Sequence, residues 1–377
     1  MGDSVDLARA ALKRRGIAVQ TLAWWDISRR ELPWRSRHGE KPNPYSVWLS
    51  EVLLQQTTAT GAAPYFVEFM RRWPSVEGLA AATLDEVMSA FAGLGYYSRA
   101  RNLHACAKAV AALGGRFPAD EAALRALPGL GPYTAAAVAA IAFDLPAAPV
   151  DGNIARILSR LFAFDVPILA NRPALDSAAR ALTPKERPGD YAQALMDIGA
   201  TICRPRNPDC QRCPLAKACL ACRSGESEKF PGKPVRKVRP TRTGAAFYAQ
   251  REDGAFLARR RPPSGLLGST MELPGGAWTD GEIAHVGAEA APFPANWRRL
   301  PGFVEHVFTH FTLRLALYAA EAPPGAAPNG LIWIEPDKMN EAGFSGLMLK
   351  AAVAAASDFL MSPIRMRSSV PIARRSS

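Results

Sequence analysis

Apolar positions recur at helical spacing along most of the first two hundred residues, and strand signals are almost absent before Ile202. Leu7 to Leu32 is a basic, partly amphipathic helical pattern that closes at Leu32-Pro33-Trp34-Arg35. After a polar loop, Ser36 to Pro44, the run Tyr45 to Thr57 predicts a helix with Val47, Trp48, Val52 and Leu54 on its apolar stripe. Leu79 to Leu94 predicts another, stopped by Gly93 and Gly95; Leu103 to Leu113 and Leu124 to Ala126 follow. Ile154 to Phe162, a proline-bearing connector and Tyr191 to Ile202 complete an all-α region. Ser224 to Thr243 has no apolar period and holds three prolines, six basic and two acidic residues, so it reads as a linker. Beyond it, Ala245 to Ala249, Phe256 to Ala258, Phe303 to Phe308, Thr312 to Ala319 and Leu331 to Ile334 alternate or run apolar at strand lengths. The pattern therefore predicts two domains, an all-α one over 1–223 and an α+β one over 244–360, joined by a linker over 224–243. The Ser- and Arg-rich tail, 361–377, is expected to be disordered.

Two places in this pattern invite chemistry. In Leu127-Pro-Gly129-Leu-Gly131-Pro-Tyr133, a helix is broken by Pro128 and Gly129, Gly131 permits a tight turn, and Pro132 suits the first position of a new helix. Backbone N–H groups at the start of that helix form a site for an anion such as a nucleic-acid phosphate. Asp151 follows twenty residues after Gly131, either as a helix cap or as a carboxylate facing the same site. The second place is Glu51, whose neighbours one turn away are Val47, Trp48 and Leu54. An apolar wall disfavours the charged form and raises a carboxyl's pKa, which is what a general acid requires.

Composition narrows the partners. The chain has 377 residues, 48% of them hydrophobic, enough for two cores. A net charge of +12 favours a polyanionic partner. The run Gly93-Leu-Gly-Tyr96-Tyr97-Ser-Arg99 suits an apolar wedge beside phosphate contacts. No signal peptide is visible, and the longest low-polarity run, Ala135 to Phe143, is too short to span a bilayer. An intracellular, cytoplasmic and nucleoid-associated monomer is expected, with no membrane partner. Five of the six cysteines lie between Cys203 and Cys222, with the spacing C-x6-C-x2-C-x5-C over Cys203, Cys210, Cys213 and Cys219. So dense a cluster predicts a [4Fe-4S] cluster or a zinc ion; the pair Cys219 and Cys222 leaves a zinc set of Cys210, Cys213, Cys219 and Cys222 open.

The motifs SEVLLQQT (50–57), GLGYYSRARNLH (93–104), LPGLGPYTA (127–135), VDGN (150–153) and the cysteine spacing together resemble the helix-hairpin-helix DNA glycosylases, most closely the MutY-type adenine DNA glycosylases. The resemblance covers about the first 225 residues. It implies a monofunctional enzyme of base excision repair that flips out and hydrolyses adenine mispaired with 8-oxoguanine or guanine in double-stranded DNA. Glu51 would be the general acid/base and Asp151 the aspartate at the sugar, with Tyr133 and Asn153 beside them. Gln56 and Tyr96 would enter the base stack; Leu127, Gly129, Gly131 and Arg99 would contact DNA. Arg35 would meet the substrate base; independently of the resemblance, Gln193, on the helix Tyr191 to Ile202, carries an amide that can read an adenine edge. The resemblance also selects Cys203, Cys210, Cys213 and Cys219 as ligands of a [4Fe-4S] cofactor.

The second domain resembles a Nudix domain through Glu272-Leu-Pro-Gly-Gly276, yet Ala277 to Ala291 offers only Glu282 and Glu289 where a hydrolase needs a Glu-rich helix for Mg2+. It reads as a lesion-recognition module, with Thr309 and His310 following Phe308 as the Phe-Ser-His loop does in the family. A lyase on this scaffold needs an amine after the hairpin, and that position is Tyr133. The alternatives are a thymine or uracil mismatch glycosylase on the same scaffold and a non-catalytic iron–sulfur protein that binds damaged DNA.

Overall fold

The computed structural model describes residues 16–37, 39–234, 239–263, 265–322, 325, 327–328 and 330–360; the tail 361–377 and the start of the first helical pattern, Leu7 to Arg15, lie outside them. The chain divides into two compact units, Met1–Ala90 with Arg101–Arg236, and Phe91–Ala100 with Lys237–Ser377.

Twelve helices are formed up to residue 223 among the described residues: α1 (Ile17–Ser28), α2 (Pro44–Leu54), α3 (Ala59–Arg72), α4 (Val76–Ala81), α5 (Leu84–Ala90), α6 (Ser98–Ala112), α7 (Glu121–Arg125), α8 (Pro132–Phe143), α9 (Gly152–Phe162), α10 (Arg172–Leu182), α11 (Pro188–Thr201) and α12 (Leu220–Arg223). The side chains of Asn43, Thr58, Ser75, Asp120 and Asp151 accept backbone N–H groups at the starts of α2, α3, α4, α7 and α9. Such caps satisfy donors that the helix itself leaves unpaired.

The stretch Leu79 to Leu94 is two helices rather than one. Ala82 is extended, and Thr83 and Glu86 then cap each other: Thr83 N–H donates to Glu86 Oε2 at 2.7 Å, and Glu86 N–H to Thr83 Oγ1 at 3.3 Å. The proline-bearing connector contains α10, because Pro173 stands in its first turn, where a missing N–H costs nothing. The first half of the expected linker is also structured. Ser227–Lys229 forms a 3-10 turn, Phe230 is buried, and its carbonyl accepts Arg160 Nε at 3.1 Å. Within the linker, 235–238 lie outside the described residues.

In the second unit, β1 (Thr241–Gln250), β2 (Phe256–Arg260), β3 (Met271–Glu272), β4 (Thr279–Asp280), β5 (Arg298–Arg299), β6 (Val304–Val307), β7 (Thr312–Glu321) and β8 (Ile332–Ile334) make one sheet, followed by α13 (Gly346–Leu360). β1 runs parallel to β7 from Thr241 opposite Thr312 to Gln250 opposite Glu321. Both faces of these strands are covered: Ala246 and Tyr248 join a core with Leu347, Met348 and Ala351, while Ala245 and Phe247 pack with Ala316, Tyr318 and Trp297. Double coverage is why β1 reads as a continuous apolar run instead of an alternating one. Between 277 and 291 no α-helix forms, only a 3-10 turn at Ile283–His285.

A helical unit followed by a mixed α/β unit matches the expected architecture. The iron–sulfur cluster loop within it does not. Among the described residues, no group of three or more His, Cys, Asp or Glu side chains is arranged to hold a metal ion.

Candidate active site

Pro44 at the head of α2, with Asn43 Oδ1 accepting Tyr45 N–H at 2.9 Å, sets the register that turns Glu51 inward two turns later. The helix is buried on nearly every face, not along one stripe, and Glu51 itself is only 5% exposed. Its Oε2 accepts the Tyr133 hydroxyl at 2.8 Å. Burial pushes the Glu51 carboxyl up to about 7, opposed by the Tyr133 bond, raised further by the charge of Asp151 and opposed by that of Arg35. The Tyr133 phenol is held protonated by burial and by both neighbouring carboxylates.

Asp151 is both the cap of α9 and a member of the same site. Its Oδ1 accepts Ile154 N–H at 2.7 Å and its Oδ2 the Asn153 amide at 2.9 Å. Burial raises its pKa, while those donors and the charge of Arg156 pull the other way. Asn153 Oδ1 accepts Arg156 Nη2 at 2.9 Å, so its NH2 group is the one left to face Asp151. Arg156, missed in the sequence, stands at the fifth position of α9, where no local pattern singles it out.

Glu51, Asp151, Tyr133, Asn153, Gln56, Arg35 and Gln193 all line one cavity of about 690 Å³ in the helical unit, together with Trp34 and Gln55. Arg35 does not extend freely into it. Its Nη1 and Nη2 donate to Asp197 at 2.7 and 2.8 Å, and its guanidinium lies 4.7 Å from the Trp25 ring centroid. Gln193 Nε2 donates to Gly189 O at 3.3 Å. Gln56 at the cavity rim and Tyr96 in the second unit share an unusual backbone, with φ of +62° and +50°. Left-handed backbone at a residue other than glycine costs about 1–2 kcal/mol, so each is held there by its surroundings.

At the hairpin, Gly129 rather than Gly131 supplies the left-handed turn, with φ of +76°. A Cβ at Gly129 would stand 2.6 Å from Asn102 Cβ. Gly131 is extended, caps α8 without a side chain, and has nothing within 4 Å of a would-be Cβ. Leu127 is buried. Arg99, expected to contact phosphate, is buried too: Nη2 donates to the carbonyls of Leu94 and Gly95 at 3.0 and 3.1 Å, and the guanidinium stacks on Phe91. It braces the loop that presents Tyr96, which is 55% exposed. In the second unit Tyr96 Oη and Thr309 Oγ1 lie 3.2 Å apart, and His310 is exposed.

The four cysteines assigned to a [4Fe-4S] cluster, Cys203, Cys210, Cys213 and Cys219, are corrected to protein-bonded thiols, and the same finding removes the zinc set with Cys222. Cys203 Sγ accepts Arg160 Nη1 at 3.2 Å, Cys219 Sγ donates to Arg160 O at 3.3 Å, and Cys210 Sγ pairs with Ser227 Oγ at 3.4 Å. Burial pushes the Cys213 thiol up to about 12 and raises Cys219. Spacing in sequence brought the residues close without aiming their sulfurs at one centre.

A family model described as HhH-GPD superfamily base excision DNA repair protein matches residues 49–167, and a NUDIX domain model matches 245–353. The human adenine DNA glycosylase is 34% identical over 393 residues, covering 87% of this chain and 72% of its own. This chain belongs to the adenine DNA glycosylase family, with its helix-hairpin-helix and Nudix parts. The adenine DNA glycosylase of Schizosaccharomyces pombe is 28% identical over 89% of this chain and 88% of its own. A solved thermostable thymine-DNA glycosylase is 32% identical, with a TM-score of 0.50 over 57% of this chain and 99% of that one. As an adenine DNA glycosylase the protein is an N-glycosyl hydrolase of base excision repair. No helix among the described residues is long and apolar enough to cross a membrane.

Proposed function

We propose that the cavity receives an adenine flipped out of duplex DNA opposite 8-oxoguanine or guanine, and that the protein hydrolyses its glycosidic bond without lyase chemistry. The observation that carries this is the pair of carboxyls in one cavity with different surroundings: Glu51 is buried and pushed up to about 7, while Asp151 takes two hydrogen-bond donors. Adenine leaves only when a ring nitrogen is protonated, and positive charge builds on the sugar as the bond breaks. Glu51 supplies the proton, with Tyr133 fixing which of its oxygens carries it. Asp151 stabilises the oxocarbenium-like sugar, and the Glu51 carboxylate then takes a proton from the attacking water. This is the division of labour between two carboxyls in sugar hydrolysis, used here as analogy. The residue after the hairpin is Tyr133, and no lysine lines the cavity among the described residues, so no amine is offered to the sugar.

Gln56 and Tyr96 are assigned to the base stack, where their exposed, left-handed positions suit insertion beside the mispair. Gly131 lets a phosphate approach the start of α8. Thr309, paired with Tyr96, is assigned to the lesion base, and His310 to the strand beside it. A thymine mismatch glycosylase is the second reading, favoured by the 32% identity of the solved thymine-DNA glycosylase over 57% of this chain. Single-turnover excision on duplexes with A or T opposite G or 8-oxoguanine separates the two. Removal of A with 8-oxoguanine preferred supports the reading; removal of T refutes it. Borohydride trapping of a covalent DNA adduct would refute the hydrolytic mechanism.

A further inference from the structure

Residues 29–37 carry no helix or strand among the described positions, yet they deliver Trp34 and Arg35 to the cavity wall. A segment without a backbone ladder is positioned by whatever its side chains hold. Here the polar anchor is one carboxylate, Asp197 of α11, beside the ring contacts of Trp34 with Phe66 and of Arg35 with Trp25. It accepts Arg30 N–H at 3.0 Å, Arg30 Nε at 2.5 Å, Arg35 Nη1 at 2.7 Å and Arg35 Nη2 at 2.8 Å. Arg35 Nη1 also reaches back to Arg30 O at 2.8 Å, closing the loop on itself. The Asp197 side chain is 0% exposed and that of Arg35 8%, so water has little access to replace the Arg35 bonds, while Arg30 is 30% exposed. The helix that carries Asp197 also brings Gln193 and Met196 into the cavity, while Asp197 itself lies behind Arg35 and outside the lining.

We propose that Asp197 is a positioning residue of the reaction: by clasping Arg30 and Arg35 it sets Trp34 and Arg35 as the wall against which the excised base rests. The inference rests on the cavity being the base site. Asp197 acts through Arg35 in two ways, by fixing its place and by balancing its charge. The titratable or charged groups that face Glu51 are Tyr133 from α8, Asp151 from the head of α9 and Arg35 from this loop. With Asp197 neutral, the unbalanced Arg35 favours ionised Glu51, and the acid is lost at lower pH.

Single-turnover excision against pH, together with duplex Kd, tests this on the full chain. Asp197→Asn is expected to slow excision by about tenfold or more, to shift the falling limb of the pH profile toward acid, and to leave duplex Kd unchanged. Adding Arg35→Met to Asp197→Asn should deepen the loss no further than Arg35→Met alone. Losses that multiply, or a limb that stays in place, overturn the proposal, since a purely structural carboxylate would give those. If Asp197→Asn does not fold, Arg35→Lys replaces it, keeping the charge without the two-pronged contact. Slower excision at an unmoved limb supports the clasp, and parental excision overturns it. Glu51→Gln in the same assay separates the two levels of reading. If it still excises, the cavity is not the reaction site; if it is inactive while Asp197→Asn is parental, only the positioning role fails.

Discussion

Glu51 should make the protein less stable where it makes it ready to react. Its carboxyl ionises at about 7 in the fold and at 4.5 when unperturbed, and burial is the leading cause. Because the folded value is the higher one, the group's contribution to stability is fully present below about 4.5 and is lost as pH rises through about 7. That difference corresponds to about 3 kcal/mol once both states are ionised. Glu51→Gln keeps the volume and an oxygen that can accept the Tyr133 hydroxyl, but it never ionises. Urea unfolding at a series of pH values is therefore expected to show the variant more stable than the parent by up to about 3 kcal/mol near pH 8. The gap should close toward the acid end of the range. Excision by the same variant should be lost, because no transferable proton remains, while mispair binding persists. Parallel stability curves for the two proteins across this range would refute the argument, since the carboxyl would then not be desolvated as its burial implies.

Asp151→Asn should fold normally, as asparagine caps a helix as well as aspartate does, and should be severely slowed in excision; near-parental rates would make Asp151 a cap alone. Gly129→Ala should lower thermal stability by about 1–2 kcal/mol or more, given its left-handed φ and the approach of Asn102, whereas Gly131→Ala should leave stability unchanged and weaken DNA affinity. Equal melting temperatures for the two variants would show that the turn is not set at Gly129. Thr309→Val keeps the shape and removes the hydroxyl beside Tyr96, so the ratio of excision rates on A opposite 8-oxoguanine and A opposite G should shrink by about 1–3 kcal/mol. An unchanged ratio would assign lesion reading to other residues.

The sequence by itself determined many of the elements, though not α3, the break between α4 and α5, or α10, and it singled out the two carboxyls, because those depend on local pattern. Glu51 stands amid apolar neighbours at helical spacing, and Asp151 follows a hairpin whose prolines and glycines mark where helices must stop and start. Both faces of this information are short-range, and the structure places both residues on one cavity. What each polar side chain meets across the fold is not short-range. Arg99 and Arg35 look alike in sequence as cations beside aromatics, yet one braces a loop and the other is clasped by Asp197, 162 residues away. The left-handed backbone of Gln56 and Tyr96 has no signal in residue type. The cysteines show the difference most sharply. Their spacing ensured closeness, but Arg160, itself fixed by Phe230 and Arg204, took up the sulfurs of Cys203 and Cys219. A thiol becomes a ligand only when the fold aims it at a shared centre, and that is decided by tertiary packing.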